Sequence, residues 1–235
     1  MTQAIPNSRP FIEEFWRGFR AELPLLLGVM PFGMIYGVLA LTAGISPAQA
    51  QAMSALVFAG SSQFIATQLI AVNAPIYLTV FTILVVNLRH ILYSASIAPY
   101  LQHLPPIWKV FLPYLLTDEA YAVTIAEFQK HSEVSPTAAH GFFLGAGLTL
   151  WGSWQASTAI GVFLGTVVPQ NWSLDFTLAL TFIAIVVPTL KDRAIVTAAV
   201  VASLVAVLAV GLPYKLSLIV AAFCALLAGY FIGER

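Results

Sequence analysis

The stretch VFLPYLLTDEAYAVTIAEF, residues 110–128, decides how often this chain crosses a bilayer. Its length is close to the ~20 residues that a spanning helix needs. Pro113, Asp118, Glu119 and Glu127 nevertheless interrupt its apolar character. Lysine and arginine concentrate in cytoplasmic loops, and that bias arbitrates. If 110–128 crosses and the N-terminus is cytoplasmic, Arg9, Arg17, Arg20, Lys130, Lys191, Arg193 and Arg235 lie inside. Only Lys109 and Lys215 then lie outside, with Arg89 in the membrane. If 110–128 does not cross, everything downstream flips. Arg9, Arg17, Arg20 and Lys215 stay inside, against Lys109, Lys130, Lys191, Arg193 and Arg235 outside. The crossing is therefore the better reading.

Around it lie apolar runs at about 21–43, 47–73, 75–100, 138–165, 174–190, 194–211 and 216–233, each long enough to span. Their ends fall at Gly44-Ile45-Ser46-Pro47, Asn73-Ala74-Pro75, Pro105-Pro106, the polar stretch 130–136, Pro169-Gln170-Asn171, Lys191-Asp192-Arg193 and Gly211-Leu212-Pro213. Residues 1–20 lack the apolar core and cleavage site of a signal peptide. Instead Phe11, Ile12, Phe15, Trp16 and Phe19 recur at helical spacing opposite Glu13, Glu14, Arg17 and Arg20. That pattern predicts an amphipathic helix in the cytoplasmic interface.

Composition agrees. The 235 residues are 60% hydrophobic and 9% charged, with a mean hydropathy of +0.89. A soluble domain carries about 25% charge. Zero net charge argues against nucleic acid as a partner. Cys224 stands alone, so neither an internal disulfide nor a thiolate metal cage is available. The expected fold is an all-α polytopic membrane protein: a bundle of about eight transmembrane segments, some broken at mid-membrane, preceded by the interfacial helix. Residues 1–20 form that helix and 21–235 a single transmembrane domain. Small-residue pairs at i and i+4, Gly33/Gly37, Gly141/Gly145, Gly161/Gly165 and Gly229/Gly233, read either as close helix packing or as a moving or dimerising surface.

The chemistry sits in polar residues at mid-depth. Arg89 lies 14 residues after Pro75 and 11 before Tyr100. An arginine there costs about 2.5–3.5 kcal/mol on insertion scales, so it needs a partner or a polar cavity. Asn87, His90 and Ser94 form one stripe, and Arg89, Tyr93 and Ser96 a second beside it. Asp118 and Glu119 fall at matching depth in 110–128. The economical inference pairs one of them, Asp118 first, with Arg89 or His90. Neighbouring residues on a helix point about 100° apart, so both carboxyls cannot serve one partner. The pair reads either as a static lock between helices or as part of a proton or substrate site.

The third anomaly is Phe58-Ala59-Gly60-Ser61-Ser62-Gln63-Phe64, halfway along 47–73. Gly60 and two serines can open a helix, freeing N–H groups for a carboxylate and carbonyls for an ammonium. An intact helix with back-bonded serines is the alternative. Trp151, Trp154, Gln155 and Thr158 share a face in 138–165, where Trp151 is a candidate wall for an apolar pocket.

The chain resembles the large subunit of two-component branched-chain amino-acid exporters, the AzlC family. The resemblance rests on Gly28-Val29-Met30-Pro31-Phe32-Gly33 with Gly37, on Phe58–Phe64, on Asn87-Leu88-Arg89-His90 and on Thr117-Asp118-Glu119. It covers the chain after residue 20, with Trp151 and Gly161/Gly165 carrying the second half. It implies a secondary transporter in the bacterial plasma membrane that exports valine, leucine, isoleucine or methionine. It also implies a small hydrophobic membrane subunit as partner, with a homo-oligomer as a further option.

The candidate substrate or coupling residues are thus Gly60, Ser61, Ser62, Gln63, Asn87, Arg89, His90, Asp118, Glu119 and Trp151. No enzyme motif competes. His90, His103, His131 and His140 lack metal-ligand spacing, and no Walker A sequence or nucleophile elbow is present. No cofactor is expected. A channel, or an exporter for another small solute, is the rival reading. Polar groups concentrated at one depth, with apolar walls above and below, suit alternating access better than a continuous pore.

Overall fold

In the computed structural model, residues 10–130, 136–167, 190, 192–213 and 216–233 are described. All regular structure among them is helical, and the expected run 174–190 lies almost wholly outside them. Two compact units form: one from residues 1–67 and 83–168, the other from 68–82 and 169–235. Among the described residues, three helical stretches are long and apolar enough to cross a membrane: Phe11–Thr42, Ile76–Leu101 and Leu216–Gly233.

Helix α1 runs from Phe11 to Thr42 through Pro24 and Pro31. The expected interfacial helix is thus not a separate element; from Phe11 onward it forms the first turns of α1. Its faces are also inverted relative to water. Ile12 and Trp16 point outward, whereas Glu14 and Glu22 are buried. Hydrocarbon outside and a polar ladder inside account for this. Arg17 bonds Glu14 at 2.7 Å and also pairs with Glu127. Its guanidinium lies 5.8 Å from the centroid of the Phe142 ring.

The end of α1 is set by glycine. Gly44 has φ +82°, while Ile45 N–H donates to Ala40 O and Gly44 N–H to Leu41 O. This closure satisfies the last carbonyls and needs a left-handed residue. Ser46 then caps α2 (Pro47–Val57) in a reciprocal box with Gln49. At Phe58 the backbone turns left-handed, and α3 begins at Gly60 and ends at Ala71. The 47–73 run is thus two half-helices, and the break falls at the glycine–serine motif.

The 75–100 run is α4 (Ile76–Asn87) and α5 (Arg89–Leu101), joined by a tight turn at Leu88. The 110–128 run is α6 (Pro106–Tyr114) and α7 (Asp118–Lys130), separated at Leu115–Thr117. Helix α8 spans Pro136–Val167. In the second unit, α9 (Arg193–Leu208) is capped by the Asp192 side chain on Ile195 N–H, and α10 spans Leu216–Gly233.

The glycine pairs resolve as internal packing. Gly141 meets Phe11, Gly145 meets Phe15, Gly161 meets Met34, and Gly165 meets Val38 and Leu41. Residue numbers rise together, so α1 and α8 run parallel and lie backbone to backbone. Gly33 and Gly37 return the contact against Ser157 and Thr158. Gly229 and Gly233 meet Ala198 and Ala194, which makes α9 and α10 an antiparallel pair. A Cβ on Gly161 would stand 2.1 Å from Met34 O, whereas one on Gly152 would meet nothing within 4 Å. Overpacking costs about 1–3 kcal/mol. Gly161→Val is therefore expected to lower the melting temperature in detergent, while Gly152→Ala leaves it unchanged. Equal melting of both would contradict this packing.

Candidate functional site

Three helix interruptions meet in the first unit. The start of α3 contributes Ser61 and Ser62, the α4–α5 turn contributes Asn87 and Arg89, and the first residue of α7 is Asp118. Arg89 Nη1 pairs with Asp118 Oδ2, and Arg89 Nη2 donates to Ser61 Oγ at 2.8 Å. Ser62 Oγ donates to Asn87 Oδ1 at 2.6 Å. The arginine so costly in lipid is thus held by a carboxylate and by the opened helix together.

Each interruption has a local cause. The left-handed backbone at Phe58 ends α2 and lets α3 start afresh. The first bond inside α3 runs from Gln63 N–H to Ala59 O at 2.9 Å. The N–H groups of Gly60, Ser61 and Ser62 therefore have no acceptor within the helix. At the start of α7, Thr117 Oγ1 accepts from Ala120 N–H at 3.4 Å. Asp118 and Glu119 occupy the first turn, where the helix dipole favours negative charge.

Hydrogen-bonding capacity is left over at this junction. Among the described residues, Asp118 Oδ1, Arg89 Nε and Gln63 Nε2 are buried without hydrogen-bond partners. Buried polar atoms are normally satisfied, so three such atoms at one junction set it apart from ordinary helix packing.

The two carboxyls diverge, as neighbouring helix positions require. Asp118 meets Arg89, while Glu119 acts electrostatically on Glu22 of α1. His90 Nδ1 lies 3.2 Å from Asn87 O, and its ring stands edge-on to Tyr93. Among the described residues it forms no ion pair with a carboxylate, although Asp118 is close enough to act on it. Tyr93 stacks on Tyr121 with centroids 4.6 Å apart, and Tyr121 OH bonds Ser96 Oγ at 2.9 Å. These contacts brace α5 against α7 beside the ion pair.

On the α8 side the tryptophans divide their work. Trp151 Nε1 donates to Tyr114 OH at 2.6 Å, and Tyr114 OH donates to Ala55 O near the end of α2. Trp154 lies at the break itself. Its Nε1 donates to Gln63 Oε1 at 3.1 Å, and its ring lies 3.1 Å from where a Cβ on Gly60 would be. Phe32 covers the same glycine from α1. Thr158 bonds Ser54, and Gln155 bonds Gln51, tying α8 to α2. Thr67 Oγ1 donates back to Gln63 O, the ordinary intrahelical bond.

Trp154, Tyr114 and Phe32 thus shape the junction without being among the sequence candidates. Trp154 shared the predicted face, but nothing in one dimension told it from Trp151. Glu22 was also missed, because it lies among apolar residues with no motif around it. Among the described residues no cluster of His, Cys, Asp and Glu has the makings of a metal site.

Comparison with known proteins follows the same region. The family described as AzlC protein matches residues 24–168, which include every residue of this junction. The chain is 26% identical to an inner membrane protein, YgaZ, of Escherichia coli K12, over 91% of this chain and 89% of that one. It is 32% identical to an uncharacterized membrane protein of Archaeoglobus fulgidus, over 76% and 77%. It is 27% identical to the branched-chain amino acid transport protein AzlC of Bacillus subtilis, over 73% and 68%. No solved structure matches.

Proposed function

This membrane-embedded chain belongs to the AzlC family, and from that premise we propose that it is a secondary transporter exporting branched-chain amino acids. One observation carries the reading: the Arg89–Asp118 pair sits at the start of α3 beside buried polar atoms with no partner. A zwitterion fits such a place. Its carboxylate would take the Ser61 and Ser62 N–H groups or Arg89. Its ammonium would take Asp118 or the carbonyls freed at the end of α2. Phe32, Phe64 and Trp154, whose rings cluster within 6.3 Å of Phe32, offer the apolar wall for a branched side chain.

Eight crossings with both termini cytoplasmic belong to this proposal. The parallel run of α1 and α8 supports it. An odd number of crossings must separate two parallel spans, and α2–α3, α4–α5 and α6–α7 supply three. A small hydrophobic subunit completes the transporter in this reading, as valine, leucine, isoleucine and methionine complete the list of substrates.

Coupling to protons follows from the same pair. When Arg89 turns from Asp118 to substrate, the carboxyl loses its counter-charge and takes up a proton. Proton entry and substrate loading then exclude one another, which is the logic of exchange. Vesicles with an imposed pH gradient test this, using labelled valine, leucine, isoleucine and methionine, with and without the small subunit. Wild type is expected to show saturable, gradient-driven flux, and Asp118→Asn at least a tenfold loss. Full gradient-driven flux in both Asp118→Asn and Glu119→Gln would remove these carboxyls from the coupling step. Flux that never saturates would mark a channel instead.

A further inference from the structure

Glu22 has no place in the substrate junction, yet it is the more unusual carboxyl. It is 0% exposed, and among the described residues neither Oε1 nor Oε2 has a hydrogen-bond partner. A buried carboxylate with neither cation nor donor is strongly disfavoured, so a neutral, proton-bearing side chain is the form this packing accommodates. Its position follows from helix register. Arg17 of α1 pairs with Glu127 of α7, while Glu22, further along α1, faces Glu119, further back along α7, so the two helices run antiparallel here. Glu22 lies five residues further along α1, about 7.5 Å at 1.5 Å per residue. In the opposite direction along α7, Thr124 lies three residues and Glu119 eight residues before Glu127. Thr124 is also 0% exposed, and its Oγ1 has no partner.

The neighbours are few. Glu119 is the ionisable group on α7 that acts on Glu22. Toward the N-terminal end of α1 lie Glu14, Arg17 and Glu127, already joined in their own ion cluster. Gly18 packs on Phe142 and Ala146 of α8, and the next turn, Ala146–Leu150, carries no ionisable residue. Carboxyls thus line the α1–α7 interface in order: Glu14 and Glu127 at one end, Glu22 between, then Glu119 beside the Arg89–Asp118 pair.

We propose that Glu22 is the proton-carrying step between one membrane face and the substrate junction, passing its proton to Glu119 across the α1–α7 interface. The step balances without a co-reactant: the O–H bond at Glu22 breaks as the one at Glu119 forms, and Glu22 is reloaded from the Glu14–Glu127 end. This rests on the transport reading above, but assigns the proton entry to a different residue from those that meet substrate.

The test uses the full chain with its small subunit in vesicles and reads two rates, gradient-driven flux and substrate-for-substrate exchange at equal pH. Glu22→Gln is expected to lose gradient-driven flux at least tenfold while exchange stays within about twofold. Glu22→Asp is expected to keep gradient-driven flux with a displaced pH profile. Gradient-driven flux in Glu22→Gln equal to wild type overturns the proposal, as does equal loss of both rates, which would mark a structural role. Should Glu22→Gln fail to insert, Glu22→Asp decides, and an unchanged pH profile there overturns it. A wild type that exchanges substrate but ignores the pH gradient overturns it too. A wild type that moves no branched-chain amino acid would instead sink the underlying transport reading.

Discussion

Arg89→Ala is expected to reduce branched-chain amino-acid flux to background, with a measurable loss of stability. Removing one partner of a buried ion pair costs about 3–5 kcal/mol, because the remaining charge is stranded. Here Arg89 and Asp118 keep 29% and 41% side-chain exposure, so screening reduces the cost to about 2 kcal/mol. A loss of that size lowers a melting temperature by about 4–8 °C in a chain of this length. The substitution also removes the donor to Ser61 Oγ and so loosens the start of α3. Arg89→Ala/Asp118→Ala is expected to regain most of the stability, since no charge is left behind, yet to remain without transport. That split separates a lock between helices from a site that meets substrate. Recovery of flux together with stability in the double variant would mean the pair only holds helices together.

Gly60→Leu is expected to abolish transport while the protein still inserts. A Cβ there would stand 3.1 Å from the Trp154 ring and 3.4 Å from Phe32, so even alanine needs its neighbours to give way slightly. Leucine adds three more carbons to that gap, where the ring edges already meet. It would either push Trp154 off Gln63 or close the space at the N–H groups of Ser61 and Ser62. Gly60→Ala is expected to keep transport at about a third to a tenth of wild type. Adding Trp154→Ala to Gly60→Leu should restore part of the flux if crowding is the cause. Membrane-inserted protein, measured alongside, keeps expression out of the comparison. Normal flux in Gly60→Leu would leave the opened helix as a support and nothing more.

The two predictions differ in how far they were visible beforehand. Arg89 announced itself, because an arginine in an apolar run has few tolerable explanations. The matching depth of Asp118 named the partner, and the Gly60-Ser61-Ser62 sequence named the break. Trp154 and Phe32 did not announce themselves. An aromatic residue in an apolar helix looks the same whether it faces lipid, a core or a binding site. Glu22 lies at the start of the 21–43 run, where a single carboxyl near the end of an apolar stretch is tolerated at a membrane surface and so marks nothing by itself. In lipid the acids go inside and the aromatics go out, whereas a helix lying on the surface does the opposite.

What one dimension could establish was the medium, the breaks and the charged residues that lipid does not tolerate alone. Those follow from transfer free energies and backbone chemistry, which act residue by residue. Gly44, Ser46 and Asn73 mark helix ends for local reasons, and their positions needed no neighbour in space. Three-dimensional packing alone decided the rest: that α1 and α8 run parallel with glycines meeting backbone, that the carboxyls of Asp118 and Glu119 part toward different helices, and that Trp154 rather than Trp151 lies against the break. The reason is physical. Lipid is as apolar as leucine, so burial gives no periodic signal for which face of a span meets protein. Close approach, hydrogen bonds and ion pairs make that choice, and each depends on a partner more than twenty residues away in sequence.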